Sequence, residues 1–448
     1  MGDVIIDGLT GANRLVILDA NGKIPALDGS AVTAIAGANF SSGTIPIARI
    51  DTGTTAGKVV KLDGNAKLPA VSGAALTGVV GATKNASDPT ISTNPSGGVG
   101  TEWQNTTSGE VYVCTDATAG ANVWTNVGGR SGDVVPYVFQ GSSYGYCAGG
   151  YNWEAPIAGM NYIDRWPYTS DANAVDVGDL AVLNSTGIYT APFSTRGASS
   201  GTYGYIMGGY WDPGANSSIE KVQLVATADG TDIGDLHTAV GNTHAYSDGT
   251  YAYCAGGDSS TPAVQYNIIQ SVAYASEVKA DTTQNLTATT ARGVAAQTLT
   301  HGYVIGGRHV ASATAVNVIE RFQFATTNHS SDVGDMDAAS VASGWGSSSL
   351  THGYTAGGTT AVAATKINRI EKVQLVATAN AVDIADILGN HYNFGSNSST
   401  THGYGFGREA ASSTGSNEIQ KFPFASDSNS TDVADLTHPR MGSAGFQI

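Results

Sequence analysis

Thr300-His301-Gly302-Tyr303-Val304-Ile305-Gly306-Gly307 decides the fold, because the phrase comes back down the chain. It stands again at residues 143–150, 202–209, 250–257 and 351–358, and in worn form at 401–407, where Arg408 takes the last place, so there are six copies. After each copy comes an alternating segment such as Ile219-Glu220-Lys221-Val222-Gln223-Leu224 or Ile319-Glu320-Arg321-Phe322-Gln323-Phe324. A period of two reads as a strand. A polar run ending at Leu180, Leu236, Met336, Ile387 or Leu436 closes the unit, and copy three is the loosest, with residues 266–274 and 281–286 standing in for both elements. Ahead of each phrase lies a run of small residues, Arg196-Gly197-Ala198-Ser199-Ser200 for example, which suits an innermost strand on an axis where large side chains cannot converge.

Four short strands per unit, at a spacing of roughly fifty residues, are the signature of a propeller blade. The unit resembles the kelch repeat: a strand after Arg, an aromatic-x-x-Gly-Gly strand, an alternating strand and a polar closing strand. The likeness covers residues 142–436, although the Trp usual in the fourth kelch strand is missing. The tail Arg440-Met441-Gly442-Ser443-Ala444-Gly445 copies the innermost strand but ends at Ile448 without a Gly-Tyr partner, while residues 134–139 before the first copy carry bulky side chains and no Arg. The tail is therefore expected to enter the first unit and close a ring, removing two open sheet edges. The expected architecture is all-β, with a six-bladed kelch-like propeller over residues 131–448.

Composition agrees with an all-β chain: 58 glycines in 448 residues, only 13% charged residues, and no long helical periodicity. The net charge of -16 and the scattering of 21 Lys and Arg argue against nucleic-acid binding. No run of eighteen apolar residues occurs and residues 1–7 lack a basic start, so neither membrane insertion nor a secretory signal is expected. Cys147 and Cys254 hold the same place in copies one and three, too far apart around a ring to pair; with Cys114 they read as buried small apolar residues.

Residues 1–83 hold a different repeat. Leu15-Val16-Ile17-Leu18-Asp19-Ala20-Asn21-Gly22-Lys23-Ile24-Pro25-Ala26 returns as Val59-Val60-Lys61-Leu62-Asp63-Gly64-Asn65-Ala66-Lys67-Leu68-Pro69-Ala70, with Gly43-Thr44-Ile45-Pro46-Ile47-Ala48-Arg49-Ile50 between them. So thin a segment cannot bury enough apolar surface to offset its ordering entropy, and needs partners. These phrases resemble the shaft and attachment repeats of bacteriophage tail fibres. That resemblance implies a homotrimer, attachment to other tail, baseplate or neck proteins of a virion, and residence in the particle. Residues 84–130 read as a small β connector, a meander turning at Thr107-Ser108-Gly109, with residues 88–100 and 128–133 as linkers.

The candidate chemistry is sparse. His301, His352 and His402 fall one per copy, too far apart for one metal ion, and read as packing residues. The pairs Asp176/Asp179, Asp232/Asp235, Asp332/Asp335, Asp383/Asp386 and Asp432/Asp435 read as Asx turns, with calcium as the alternative; their repetition counts against an asymmetric catalytic site. No nucleophile elbow, zinc motif or phosphate loop is present, so no enzyme, cofactor or metal is expected. Variation concentrates after the Gly-Gly pairs, at Tyr151-Asn152-Trp153-Glu154, Tyr210-Trp211-Asp212 and Arg308-His309. Tyr151, Trp153, Tyr210, Trp211 and His309 are the candidate glycan-binding residues, because a saccharide stacks on aromatic planes beside polar groups. The alternative is that they pack between units or against a neighbouring chain. The function expected is host-surface glycan recognition by a tail fibre, several weak sites acting together; a purely structural fibre or collar appendage and a glycan depolymerase are the alternatives.

Overall fold

The computed structural model describes Ala20 and residues 81–128, 134–152, 158–181, 193–211, 214–260, 263–309, 314–337, 344–360, 365–409 and 414–448. The N-terminal repeats and Trp153 lie outside these residues. Regular structure among them is all strand, with no helix.

The quoted stretch forms the second strand of a four-stranded antiparallel sheet: Val294–Gln297, His301–Ile305, Val318–Gln323 and Ser331–Asp335, in that order. Five more sheets repeat the pattern, and we number all six by the copy of the phrase they contain. In sheet one the first place is taken by the tail: Ala444–Gln447 pairs with Tyr144–Ala148, followed by Tyr162–Pro167 and Val175–Asp179. The innermost strands touch in a closed circuit, from Ala444–Gln447 through Arg196–Ser199, His244–Ser247, Val294–Gln297, Trp345–Ser348 and Gly395–Ser398 back to the first.

Backbone chemistry explains the repeated residues. Gly306 and Gly307 lie at φ 61° and 115°, where side chains are strained, and a Cβ on Gly307 would sit 2.6 Å from Thr290 Oγ1. The innermost strands approach so closely that a Cβ on Gly197 would strike the Gly445 carbonyl, and one on Gly346 the Ala295 carbonyl. Each innermost strand is also a sheet edge whose N–H groups need acceptors. Its neighbour's last residue supplies them: Gln447 N donates to Ser199 Oγ (2.9 Å), Ser247 N to Gln297 Oε1 (3.0 Å), Gln297 N to Ser348 Oγ (2.8 Å) and Ser348 N to Ser398 Oγ (2.9 Å). Small polar residues fit both demands.

The junctions between sheets use two further bonds. The tyrosine of the phrase accepts a backbone N–H from the next sheet: Val225 to Tyr146 (2.8 Å), Ala325 to Tyr253 (3.1 Å) and Val376 to Tyr303 (3.0 Å). In return, alternation puts Glu320 in line with Phe322 and Phe324, and that face packs on the preceding sheet, so the carboxylate is buried. It accepts Thr287 N at 2.8 Å from the end of that sheet. Glu220 does the same for Ala181 N (2.7 Å), Gln270 for Thr238 N (2.7 Å), Glu371 for Asp337 N (3.1 Å) and Gln420 for Leu388 N (3.1 Å). At the junction of sheets six and one the latch is Asp164, which accepts Thr437 N at 2.8 Å and is also ion-paired with Arg440 at 3.0 Å.

The connector is a sheet of Thr83–Asn85, Glu102–Asn105, Val111–Asp116 and Val123–Asn126 over a core of Trp103, Tyr112, Cys114 and Trp124. Its first pair is parallel, which demands a crossover. Residues 88–100, expected as a linker, are that crossover, held where Asn122 Nδ2 donates to Ile91 O (2.8 Å) and Asn94 Oδ1 (2.6 Å). The bulky residues ahead of the first copy then close one mouth of the axis. Tyr137 Oη lies within hydrogen-bond distance of Ser247 Oγ (2.7 Å) and Ser199 O (2.9 Å), while Gln140 Nε2 reaches Ser348 O (3.1 Å) and Ser399 O (3.0 Å).

Candidate functional site

The opposite mouth of the axis is built by the residues after each Gly-Gly pair. The reversal leads into a short hairpin in sheets one to four: Tyr151–Asn152 with Ala158–Gly159, Tyr210–Trp211 with Gly214–Ala215, Asp258–Ser260 with Ala263–Gln265, and Arg308–His309 with Thr314–Ala315. Single bridges, Thr359 to Lys366 and Glu409 to Gly415, mark the same place in the last two. The first hairpin residue also bridges to the segment leading into an innermost strand: Tyr151 to Met441, Tyr210 to Phe193, Asp258 to Gly241, Arg308 to Ala291 and Glu409 to Tyr392.

One residue beyond those bridges the chain turns left-handed, at Gly442 (φ 65°), Ser194 (53°), Asn242 (52°), Arg292 (64°) and Asn393 (65°). These residues bond to one another around the axis. Gly442 N donates to Asn393 O (3.0 Å), Ser194 N to Gly442 O (2.6 Å), Asn242 N to Ser194 O (3.1 Å) and Arg292 N to Asn242 O (3.0 Å). The result is a crown: an inner set of left-handed residues and an outer set made by the hairpins.

Most crown side chains are engaged. Tyr210 Oη donates to the Asp258 carboxylate, which Asn242 Nδ2 also reaches at 3.0 Å; burial and that carboxylate hold the phenol far above its usual range. Asn393 Nδ2 donates to Tyr151 Oη at 3.1 Å, and Phe193 lies between the two tyrosine rings, 4.6 Å from Tyr151 and 5.9 Å from Tyr210. Lys366 stands 4.8 Å over the Tyr392 ring and 3.6 Å from Glu409. Arg408 pairs with Glu418 and donates to His391 Nδ1 at 3.0 Å; burial and that guanidinium push His391 down to about 4, so it is neutral at pH 7.

Two guanidiniums differ. Among the described residues Arg292 and Arg308 have neither an ion pair nor a side-chain hydrogen bond, and the Nε of each is buried without an acceptor. Burial lowers the Arg308 pKa and the Arg292 charge lowers it further, while the Asp258 carboxylate opposes the shift.

Of the candidate residues in the sequence, Tyr151 and Tyr210 stand in the crown, and Tyr151 is buried at 7% exposure. Trp211 is half-buried opposite Gly214; His309 lies on the hairpin strand facing Thr314. Phe193, Asn242, Asp258, Arg292, Asn393 and Glu409 carry no motif that marks them. Their signal is positional, a fixed place after each Gly-Gly pair or just before each small-residue run.

The repeated histidines and aspartates find local partners. His301, His352 and His402 bond through Nδ1 to Thr300, Thr351 and Thr401 Oγ1 at 2.8, 2.9 and 2.8 Å. Asp176, Asp232 and Asp332 each accept the N–H two residues on, at 3.1, 2.8 and 3.1 Å, which is the Asx turn. Among the described residues no three metal-ligating side chains gather.

No family model and no curated protein matches the chain. Among solved structures, "Structure of YjhT" is similar at 12% identity and a TM-score of 0.47, covering 59% of this chain and 89% of that one, a likeness too loose to carry an inference.

Proposed function

We propose that the six sheets are the blades of a kelch-like propeller and that the protein is a virion appendage of the phage tail-fibre kind. Its crown recognises a saccharide on the host surface, and its N-terminal repeats trimerise and attach it to the particle. The observation that carries recognition is the convergence of hairpins from different sheets on one mouth of the axis, setting rings of Tyr151, Phe193, Tyr210 and Tyr392 beside Asn, Asp, Glu and Arg groups. Attachment rests on the two tail-fibre-like phrases of residues 1–83. The opposite mouth is occupied by Tyr137 and Gln140. A purely structural appendage is the second reading, favoured by one fact: the hydroxyls of Tyr151 and Tyr210 are already bonded within the crown.

A glycan array probed with the full-length protein, together with antibody labelling of the particle, tests this. Array binding with label at the distal end of a fibre is expected. Label on the particle without array binding would replace recognition by the structural reading, and release of reducing ends would replace it by a depolymerase.

A further inference from the structure

We infer that the crown is an oxyanion site formed by Arg292 and Arg308, and that the saccharide it takes is acidic. This rests on the recognition reading and names its ligand class.

In a chain of net charge -16, several cations are met by carboxylates: Lys221 by Glu277 (2.6 Å), Lys372 by Asp427 (3.0 Å), Lys421 by Asp171 (2.5 Å), Arg369 by Asp383 (3.0 Å) and Arg440 by Asp164 (3.0 Å). Among the described residues Arg292 and Arg308 have no ion pair, although the Asp258 carboxylate attracts Arg308, and both have an Nε out of reach of solvent. Leaving a buried donor without an acceptor costs more than exposing it. Their placement is backbone-determined: Ala291 exchanges two backbone bonds with Arg308 (3.3 and 2.9 Å), and Arg292 comes next within the left-handed ring, where Asn242 and Asn393 stand in other sheets. Two adjacent guanidiniums repel unless an anion lies between them, and the planar fork of N–H groups matches a carboxylate or sulfate in two-point contact. Around them, the tyrosine rings offer apolar walls.

The variants use residues the molecule already employs at these places. Arg292→Asn copies Asn242 and Asn393, and Arg308→Thr copies Thr359; Lys372→Gln removes an equal charge elsewhere. Affinity electrophoresis of the full-length protein through gels containing polygalacturonate, dextran sulfate or neutral dextran reads binding, and a thermal scan checks folding. Retardation by an anionic polymer that falls at least tenfold in R292N and in R308T, and is unchanged in K372Q, is the expected result. Polygalacturonate and dextran sulfate then tell carboxylate from sulfate. Retardation equal in wild type and both crown variants, a K372Q loss as large as theirs, or no retardation by either anionic polymer overturns the anion site. Neutral-glycan binding that survives R292N and R308T leaves saccharide recognition standing while removing the acidic ligand.

Discussion

At five of the six junctions between sheets the latch joins residues 32 to 39 apart in the sequence, and at the sixth it joins residues 273 apart. At the five, one buried Glu or Gln reaching back to a backbone N–H is the latch. At the sixth, where sheet six meets sheet one, Asp164 accepts both Thr437 N and Thr437 Oγ1, and Arg440 adds an ion pair with both partners at 0% exposure, plus a bond to Tyr162 O at 3.2 Å. The difference teaches where the ring is vulnerable. A latch between segments near in sequence closes a short loop, whereas one between distant segments must recover a larger loop-closure cost from contacts. The extra polar network sits where that cost falls.

Removing the closing segment breaks the comparison most severely. Deletion of residues 437–448 takes away Arg440 and the strand Ala444–Gln447, leaving Tyr144–Ala148 as an open edge and Phe446 missing from the core shared by sheets one and two. Loss of the cooperative thermal transition is expected by circular dichroism. A truncated chain that melts at the wild-type temperature would show that the sixth junction does not hold the ring.

Next comes Asp164→Asn. It keeps the shape but strands the Arg440 guanidinium without its counter-charge in a fully buried site. Breaking one partner of such a pair costs about 3–5 kcal/mol. Urea denaturation should therefore report a midpoint well below wild type with an unchanged slope. A change within experimental scatter would mean that the ion pair adds nothing to the Thr437 bonds.

Acid sharpens the contrast from another side. The junction between sheets two and three is latched by an amide, Gln270, so its acid sensitivity comes from elsewhere. His244 is fully buried; its Nδ1 faces Ala255 O at 3.0 Å and must carry the proton, leaving Nε2 unprotonated and without a partner. Burial pushes this histidine down to about 4. Because the folded pKa lies below the unfolded value near 6.5, the unfolded chain takes up a proton first as pH falls, and stability drops between pH 6.5 and 4. That single group is worth up to about 3 kcal/mol over the window. The stability difference between wild type and His244→Gln should shrink by that amount from pH 7 to pH 4; a difference constant with pH would remove His244 from the acid limb.

Legibility in the sequence depends on which residues are tied to geometry. The Gly-Gly pairs announce the reversals because both members sit at positive φ, and the small runs mark innermost strands because carbonyls of neighbouring sheets approach within a Cβ of them. The latches are hidden. Glu220 in an alternating strand looks the same whether its face meets solvent or another sheet, and only the packing of both faces decides it. Residues 88–100 mislead for a related reason, since Ser, Asn, Pro and Gly serve a packed crossover as readily as a linker. Arg292 is the least legible: a left-handed backbone predicts Gly or Asn, and an arginine there gives no local signal. Trp153, one of the five candidate glycan-binding residues, lies outside the described residues.

The smallest effect is the most discriminating control. Glu220→Gln changes a buried latch from carboxylate to amide, and the molecule already uses the amide twice. Gln270 accepts Thr238 N and returns Nε2 to Thr238 O at 3.1 Å; Gln420 returns its Nε2 to Leu388 O at 3.2 Å. A glutamine at position 220 keeps an acceptor oxygen for Ala181 N, so the cost should stay below about 1 kcal/mol, the net worth of one exchanged hydrogen bond. Set beside Asp164→Asn, the same chemical change at the same place in the repeat then differs several-fold in cost, and the fully buried ion pair with Arg440 is what sets Asp164 apart. Equal losses would relocate the penalty from the stranded guanidinium to the carboxylate itself, and the sixth junction would be no different in kind from the other five.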